Sequence, residues 1–74
     1  MNPEPSHVEV LDVVALLCDH PELGVITGHV GTVVERLDSY TVEVEFITAN
    51  GDTFALGALP VTDLLVLHYS PVAA

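Results

Sequence analysis

The chain has 74 residues, and its eleven acidic residues face one Arg and no Lys, giving a formal charge of -10. Such a field repels a phosphate backbone and an anionic lipid surface, so we expect no nucleic-acid and no membrane partner. A chain of this length forms one domain, which buries only roughly 60% of its unfolded surface. Its only cysteine, Cys18, cannot form an internal disulfide, so we expect a reducing, cytoplasmic location.

Hydrophobic residues make up 50% of the chain, a large share for so small a domain. We therefore expect an exposed apolar patch, and such patches often mark contacts with other proteins. The longest apolar run, residues 13–18, is far too short to span a bilayer. A homo-oligomer or a dedicated protein partner is thus expected.

The two ends of the chain differ from its middle. Residues 1–7 contain two prolines and show no periodicity, which predicts a flexible arm. Residues 70–74 predict a flexible tail in the same way. The domain itself is expected over residues 8–69.

The first half of the domain contains two predicted strands. Residues 13–17 are short and begin with β-branched side chains, which favours a strand, although a helix over 11–18 also fits the pattern. Residues 21–28 contain a proline and two glycines and predict a loop. A second strand is expected over residues 30–35, where Gly31 indicates a bend or a close backbone approach.

The second half contains three more predicted strands. Apolar and polar residues alternate over 41–47, which is typical of a strand with one buried face. Asn50 and Gly51 indicate a hairpin leading into a strand over 53–56, and residues 57–60 are expected to break that strand. One 3₁₀ turn over 61–63 and a last strand over 64–68 follow. Five short strands with these connections predict an all-β fold, a small SH3-like barrel.

Five segments of the chain, taken in order, resemble a small bacterial family, the domain of unknown function 4926 family. They are LDVVALL at 11–17, GHVGTVVE at 28–35, VEVEF at 42–46, NGDTFAL at 50–56 and LLVL at 64–67. The resemblance implies a compact β-barrel with no established activity and no catalytic residues. It also implies small companion proteins encoded beside other genes, some of them toxin-like. The departures are His29, where a longer polar residue is common, and Cys18, where an acid is common.

The stretch from Gly28 to Val34 also resembles a motif of ribosomal and transcription-factor barrels that bind RNA. Those barrels depend on basic loops, whereas the cations of this chain amount to Arg36. A shared fold does not transfer a function, so we do not expect RNA binding.

Three glutamates are the candidate partner-binding residues. Glu43 and Glu45 project from one face of the predicted 41–47 strand, and hairpin pairing brings Glu35 near them. Like charges facing each other across a ladder are destabilising. This face is either a docking site for a basic protein or a solvated outer surface that discourages aggregation.

Cys18, Asp19 and His20 form a compact trio of possible metal ligands. No pair spacing in the chain fits a zinc motif, so the sequence predicts no metal site and no cofactor. Cys18 and His20 could contact each other as a nucleophile and a base, but nearby acids should raise the thiol pKa. We therefore predict no catalytic residues and no enzyme activity.

These observations suggest three functions. The first is a non-enzymatic protein-interaction module, such as an immunity- or antitoxin-like neutraliser of a basic protein. The alternative is a structural or accessory subunit that self-assembles through an exposed apolar patch. The third is a metal-handling module that uses Cys18, Asp19 and His20.

Overall fold

The computed structural model describes residues 8–68. The predicted arm (1–7), the predicted tail (70–74) and residue 69 lie outside the described residues. The described part contains two 3₁₀ turns, Pro21–Leu23 and Val61–Asp63, and five strands. The strands are β1 (Val13–Leu16), β2 (Val30–Arg36), β3 (Thr41–Ile47), β4 (Thr53–Pro60) and β5 (Leu64–Val66). The predicted all-β fold with five strands is confirmed, and residues 13–16 form a strand rather than a helix.

The five strands form one antiparallel sheet in the order β4-β3-β2-β1-β5. The first four strands follow one another as neighbours, and β5 then returns to pair with β1. β4 and β5 are the two edges, so the sheet is not closed, and the second 3₁₀ turn joins them. The result is a small barrel-like domain with a long loop after β1.

The core consists of the inward-facing side chains of all five strands. Val33 lies opposite Val44, and both are fully buried. Phe46 is the largest fully buried side chain, and Val8 and Val25 join the core from outside the strands. Among the described residues, no polar or charged residue is buried. Burial of apolar side chains is therefore the main interaction that stabilises the fold.

Gly31 of β2 lies too close to β3 to carry a side chain without a shift. A Cβ at this position would lie 2.7 Å from Val44 Cγ1, 2.8 Å from the Glu45 carbonyl oxygen and 2.9 Å from Phe46 Cδ1. The close backbone approach predicted at Gly31 is thus confirmed, because the Glu45 backbone oxygen and the side chains of Val44 and Phe46 occupy the space that a Cβ would need.

The predicted break over 57–60 is wrong, because β4 continues through these residues to Pro60. Gly57 pairs with Val44, and Leu59 pairs with Val42. A Cβ on Gly57 would lie 2.6 Å from a methyl group of Leu23 in the long loop. The glycine therefore makes room for a side chain that covers the core, and the ladder with β3 overrides its low strand propensity.

Two connections also differ from the sequence expectation. The predicted loop over 21–28 contains the 3₁₀ turn Pro21–Leu23. The hairpin turn uses positive φ at Gly51 (+88°) and not at Asn50. The backbone N–H of Thr48 donates to the Asp52 carbonyl at 2.8 Å, so the connection is wider than a two-residue turn.

Within residues 8–68, no helix has the length and apolar character needed to cross a membrane.

We expect Gly31→Ala to destabilise the domain by roughly 1–3 kcal/mol, since the new methyl group meets a backbone oxygen that cannot move aside. The measurement is urea unfolding, with a lower midpoint at an unchanged slope. Gly57→Ala is the matched control, because its methyl group meets only the mobile end of Leu23 and should cost less. An equal loss in both variants would contradict this account of Gly31.

Candidate functional site

The three predicted glutamates lie together on the outer side of the sheet, and we call them the acidic face. The register places Glu35 of β2 directly opposite Glu43 of β3. Glu45 lies two residues further along β3, opposite Thr32. The structure therefore brings together the residues that hairpin pairing predicted to be neighbours. Their role in binding stays a prediction.

A bulge in β2 produces the pairing of the two glutamates. The register shifts between Val33 and Glu35, so that Val34 has no partner of its own. In a regular ladder, Val34 would lie opposite Glu43, and Glu35 would face the buried Val42. The extra residue turns Glu35 outward instead. The cost of that arrangement is a pair of like charges facing each other across the ladder.

Two residues beside the acidic face, Thr53 and Arg36, also make hydrogen bonds. The hydroxyl of Thr53 on β4 donates to the carboxylate of Glu45. The guanidinium of Arg36 donates to the backbone oxygens of Val8, Asp38 and Ser39. Since the chain has eleven acids and one Arg, its own side chains cannot neutralise this surface.

A second group of side chains, which could act as metal ligands, lies near the end of β1, and we call it the Cys18 cluster: Cys18, His20 and Asp63. Cys18 Sγ lies 3.8 Å from His20 Nε2, and the same nitrogen lies 2.8 Å from Asp63 Oδ2. Each residue offers one atom that could bind a metal ion, and these three atoms lie within 4.8 Å of one another. Cys18 is exposed and the other two are partly buried, so the cluster is open to solvent on one side.

Asp19 does not belong to this cluster, although it stands between two of its members in the sequence. Its carboxylate accepts the backbone N–H of Thr27 at 2.8 Å and the Thr27 hydroxyl at 2.9 Å. These hydrogen bonds, the backbone one first, lower the pKa of Asp19. Asp19 therefore ties together the two ends of the long loop, and Asp63 takes its place beside Cys18 and His20.

The backbone holds His20 in a fixed position. Its N–H donates to the Val25 carbonyl at 2.9 Å, and its own carbonyl accepts the N–H of Leu23 at 3.0 Å. On the side chain, Nδ1 lies 3.0 Å from Glu22 Oε2. Hydrogen bonds to Glu22 first, and then to Asp63, raise the pKa of His20. The two carboxylates thus favour the protonated form of His20 over the neutral form.

The cluster lacks the electrostatics of a cysteine nucleophile. Desolvation first, then the hydrogen bond to Asp63 and the charges of Asp63, Asp19 and Glu22, raise the pKa of the Cys18 thiol. The sequence-based expectation that acidic neighbours raise this pKa is confirmed. A nucleophilic cysteine needs the opposite shift, since the thiolate is the reactive form. No cavity is found among residues 8–68 either.

Sequence reasoning missed Asp63 because it lies 45 positions from Cys18. The signal that could have found it is the barrel topology. When β5 pairs with β1 and Leu64 lies opposite Leu16, the residue before β5 must meet the residues after β1. The Leu17 N–H indeed donates to the Asp63 carbonyl at 2.8 Å.

Comparison with known proteins gives one finding. The family model described as "Domain of unknown function (DUF4926)" matches residues 10–66. No curated protein matches the chain, and no solved structure matches it.

The bond between Asp19 and Thr27 predicts a pH-dependent stability difference between the wild type and Asp19→Ala. Because folding lowers the pKa of Asp19, its contribution is present above the unfolded value of about 3.9 and is lost as the pH falls through the folded value. Urea unfolding at a series of pH values measures the difference. Asp52→Ala, which removes one acidic charge from the β3–β4 turn, corrects for net charge. A difference that persists at the lowest pH would contradict the prediction.

Proposed function

The chain belongs to the DUF4926 family, and we propose that it is a non-enzymatic interaction module whose acidic face binds a basic protein. The observation that carries this proposal is the pairing of Glu35 with Glu43 across β2 and β3. Like charges in directly opposed positions destabilise a sheet. A basic partner would relieve that repulsion when it binds, and its affinity would include the energy released.

The net charge supports the same partner class. A charge of -10 on so small a domain accelerates the approach of a basic protein and repels acidic ones. We therefore propose a cytoplasmic neutraliser of the immunity or antitoxin kind, which covers a basic surface of an enzyme. Nucleic acids and anionic membranes are repelled by the same field.

The decisive experiment is co-expression with the products of adjacent genes, followed by measurement of binding at increasing salt. We expect a complex with a basic protein that weakens as salt rises. Exposed ion pairs contribute about 0.2–1 kcal/mol each, so Glu35→Gln/Glu43→Gln should weaken binding roughly 2- to 30-fold. The same double variant should be at least as stable as the wild type, because the repulsion is gone.

Asp52→Asn/Glu9→Gln is the matched control, since it removes two acidic charges from residues outside the strands and not from the acidic face. If this control weakens binding as much as Glu35→Gln/Glu43→Gln does, recognition depends on net charge and not on the acidic face. If no adjacent product forms a complex, the proposed function is wrong.

An apolar strip on the same side of the sheet favours a second candidate, self-assembly as a structural or accessory subunit. Ala15 of β1 lies between Val30 of β2 and Leu65 of β5, and both neighbours are exposed. Leu17, just beyond β1, is also exposed. Water-exposed apolar side chains on adjacent strands can be covered by a second copy of the same strip.

Sedimentation distinguishes this candidate from the first. If self-assembly is the function, the purified chain forms a stable oligomer, and Leu65→Ser dissociates it. Leu37→Ser is the matched control, because Leu37 is equally apolar and exposed but lies in the β2–β3 turn. A monomer at all accessible concentrations rules out self-assembly and leaves the first candidate.

A further inference from the structure

We propose that Cys18, His20 and Asp63 form a binding site for a divalent transition-metal ion, with Zn²⁺ as its preferred occupant. A thiol sulfur, an imidazole nitrogen and a carboxylate oxygen are the three ligand types that zinc takes in proteins. Here they converge from two distant parts of the chain, the end of β1 and the second 3₁₀ turn. Three protein ligands leave the fourth tetrahedral position for water or for a group from a binding partner.

The three ligand atoms lie within 4.8 Å of one another, and two of their distances can be compared with those of a tetrahedral site. With Zn–S near 2.3 Å and Zn–N or Zn–O near 2.0–2.2 Å, neighbouring ligand atoms lie about 3.4–3.6 Å apart. Sγ of Cys18 and Nε2 of His20 are 3.8 Å apart. Nε2 and Asp63 Oδ2 are 2.8 Å apart and must separate by about 0.6 Å, which is within the reach of a carboxylate rotation.

The orientation of His20 is the one that metal-binding histidines adopt. Its Nε2 faces both Cys18 and Asp63, whereas its Nδ1 lies 3.0 Å from Glu22 Oε2. A ligating histidine almost always donates its other ring N–H to a carboxylate or carbonyl, which fixes the tautomer and directs the free lone pair at the metal. Glu22 supplies that carboxylate here.

Charge and ligand softness select the ion. A thiolate and a carboxylate together carry two negative charges, which a divalent cation neutralises. Thiolate and imidazole favour zinc and its neighbours over Mg²⁺ and Ca²⁺, which prefer oxygen ligands. The surplus of ten negative charges on the chain adds a general attraction for cations.

Backbone hydrogen bonds already hold His20 and Asp63 in place. Two hydrogen bonds fix His20 against Leu23 and Val25, and the N–H of Leu17 donates to the carbonyl of Asp63. The ion would therefore join β1 to the turn that precedes β5, and it should stabilise the folded chain by mass action.

The test uses the untagged full chain, freed of metal with a chelator and kept reduced with a non-thiol reductant. Titration with Co²⁺ should give a thiolate-to-cobalt charge-transfer band and the intense visible bands of tetrahedral cobalt, saturating at one equivalent. Zn²⁺ should abolish both by competition and raise the melting temperature. Mg²⁺ should do neither.

Variants identify the ligands. Cys18→Ser should abolish the charge-transfer band, and His20→Gln and Asp63→Asn should each lower Zn²⁺ affinity more than about tenfold. Glu22→Gln should lower it about 10- to 100-fold while keeping the charge-transfer band. His68→Gln and Asp52→Asn, which change the same residue types elsewhere, should bind like the wild type.

Two results would overturn the proposal. One is the absence of a thiolate band when Co²⁺ is bound. The other is Zn²⁺ affinity that Cys18→Ser leaves unchanged but Glu35→Gln/Glu43→Gln reduces, which would place the ion on the acidic face. Neither result bears on binding of a basic protein, which is measured separately.

Discussion

The pairing of β5 with β1 is the contact on which the rest of this structure depends. β1 has only four residues, yet it is hydrogen-bonded on both sides, to β2 and to β5. That double pairing makes Val14 and Leu16 part of the core. It also carries the second 3₁₀ turn to the end of β1, where the Leu17 N–H meets the Asp63 carbonyl. Both the barrel-like shape of the domain and the Cys18 cluster follow from this one return of the chain.

The excess of acid over base is the second constraint, and it acts differently in two places. On the acidic face, Glu35 and Glu43 stand opposite each other, and solvent or a cation from outside would relieve the repulsion. In the Cys18 cluster, Glu22 and Asp63 flank His20 and raise its pKa. Both places therefore favour positive charge. The acidic face favours a basic macromolecular surface, and the Cys18 cluster favours a proton or a metal ion.

Much of the fold could be predicted because the local patterns agree with the final structure. The alternation of β3 shows in the sequence, since every second side chain from Val42 to Phe46 is buried. The 3₁₀ turn over Val61–Asp63 was also recognisable. The continuation of β4 through Gly57 was not, because a glycine next to a proline-containing segment is typical of a break. Only contact with Leu23 and the ladder with β3 explain it.

By itself, the sequence determined the charge, the apolar surplus, the strand alternation and the family, since each depends on residue identity or on neighbours along the chain. It also placed the glutamates of β2 and β3 together, because a short hairpin fixes their pairing. The tertiary structure decided that Glu35 faces Glu43 through a bulge and that Asp63, not Asp19, joins Cys18 and His20. The first outcome depends on a one-residue register shift inside the hairpin, which the alternation of apolar and polar residues does not show. The second depends on a contact between residues more than 40 positions apart, which no local pattern can predict.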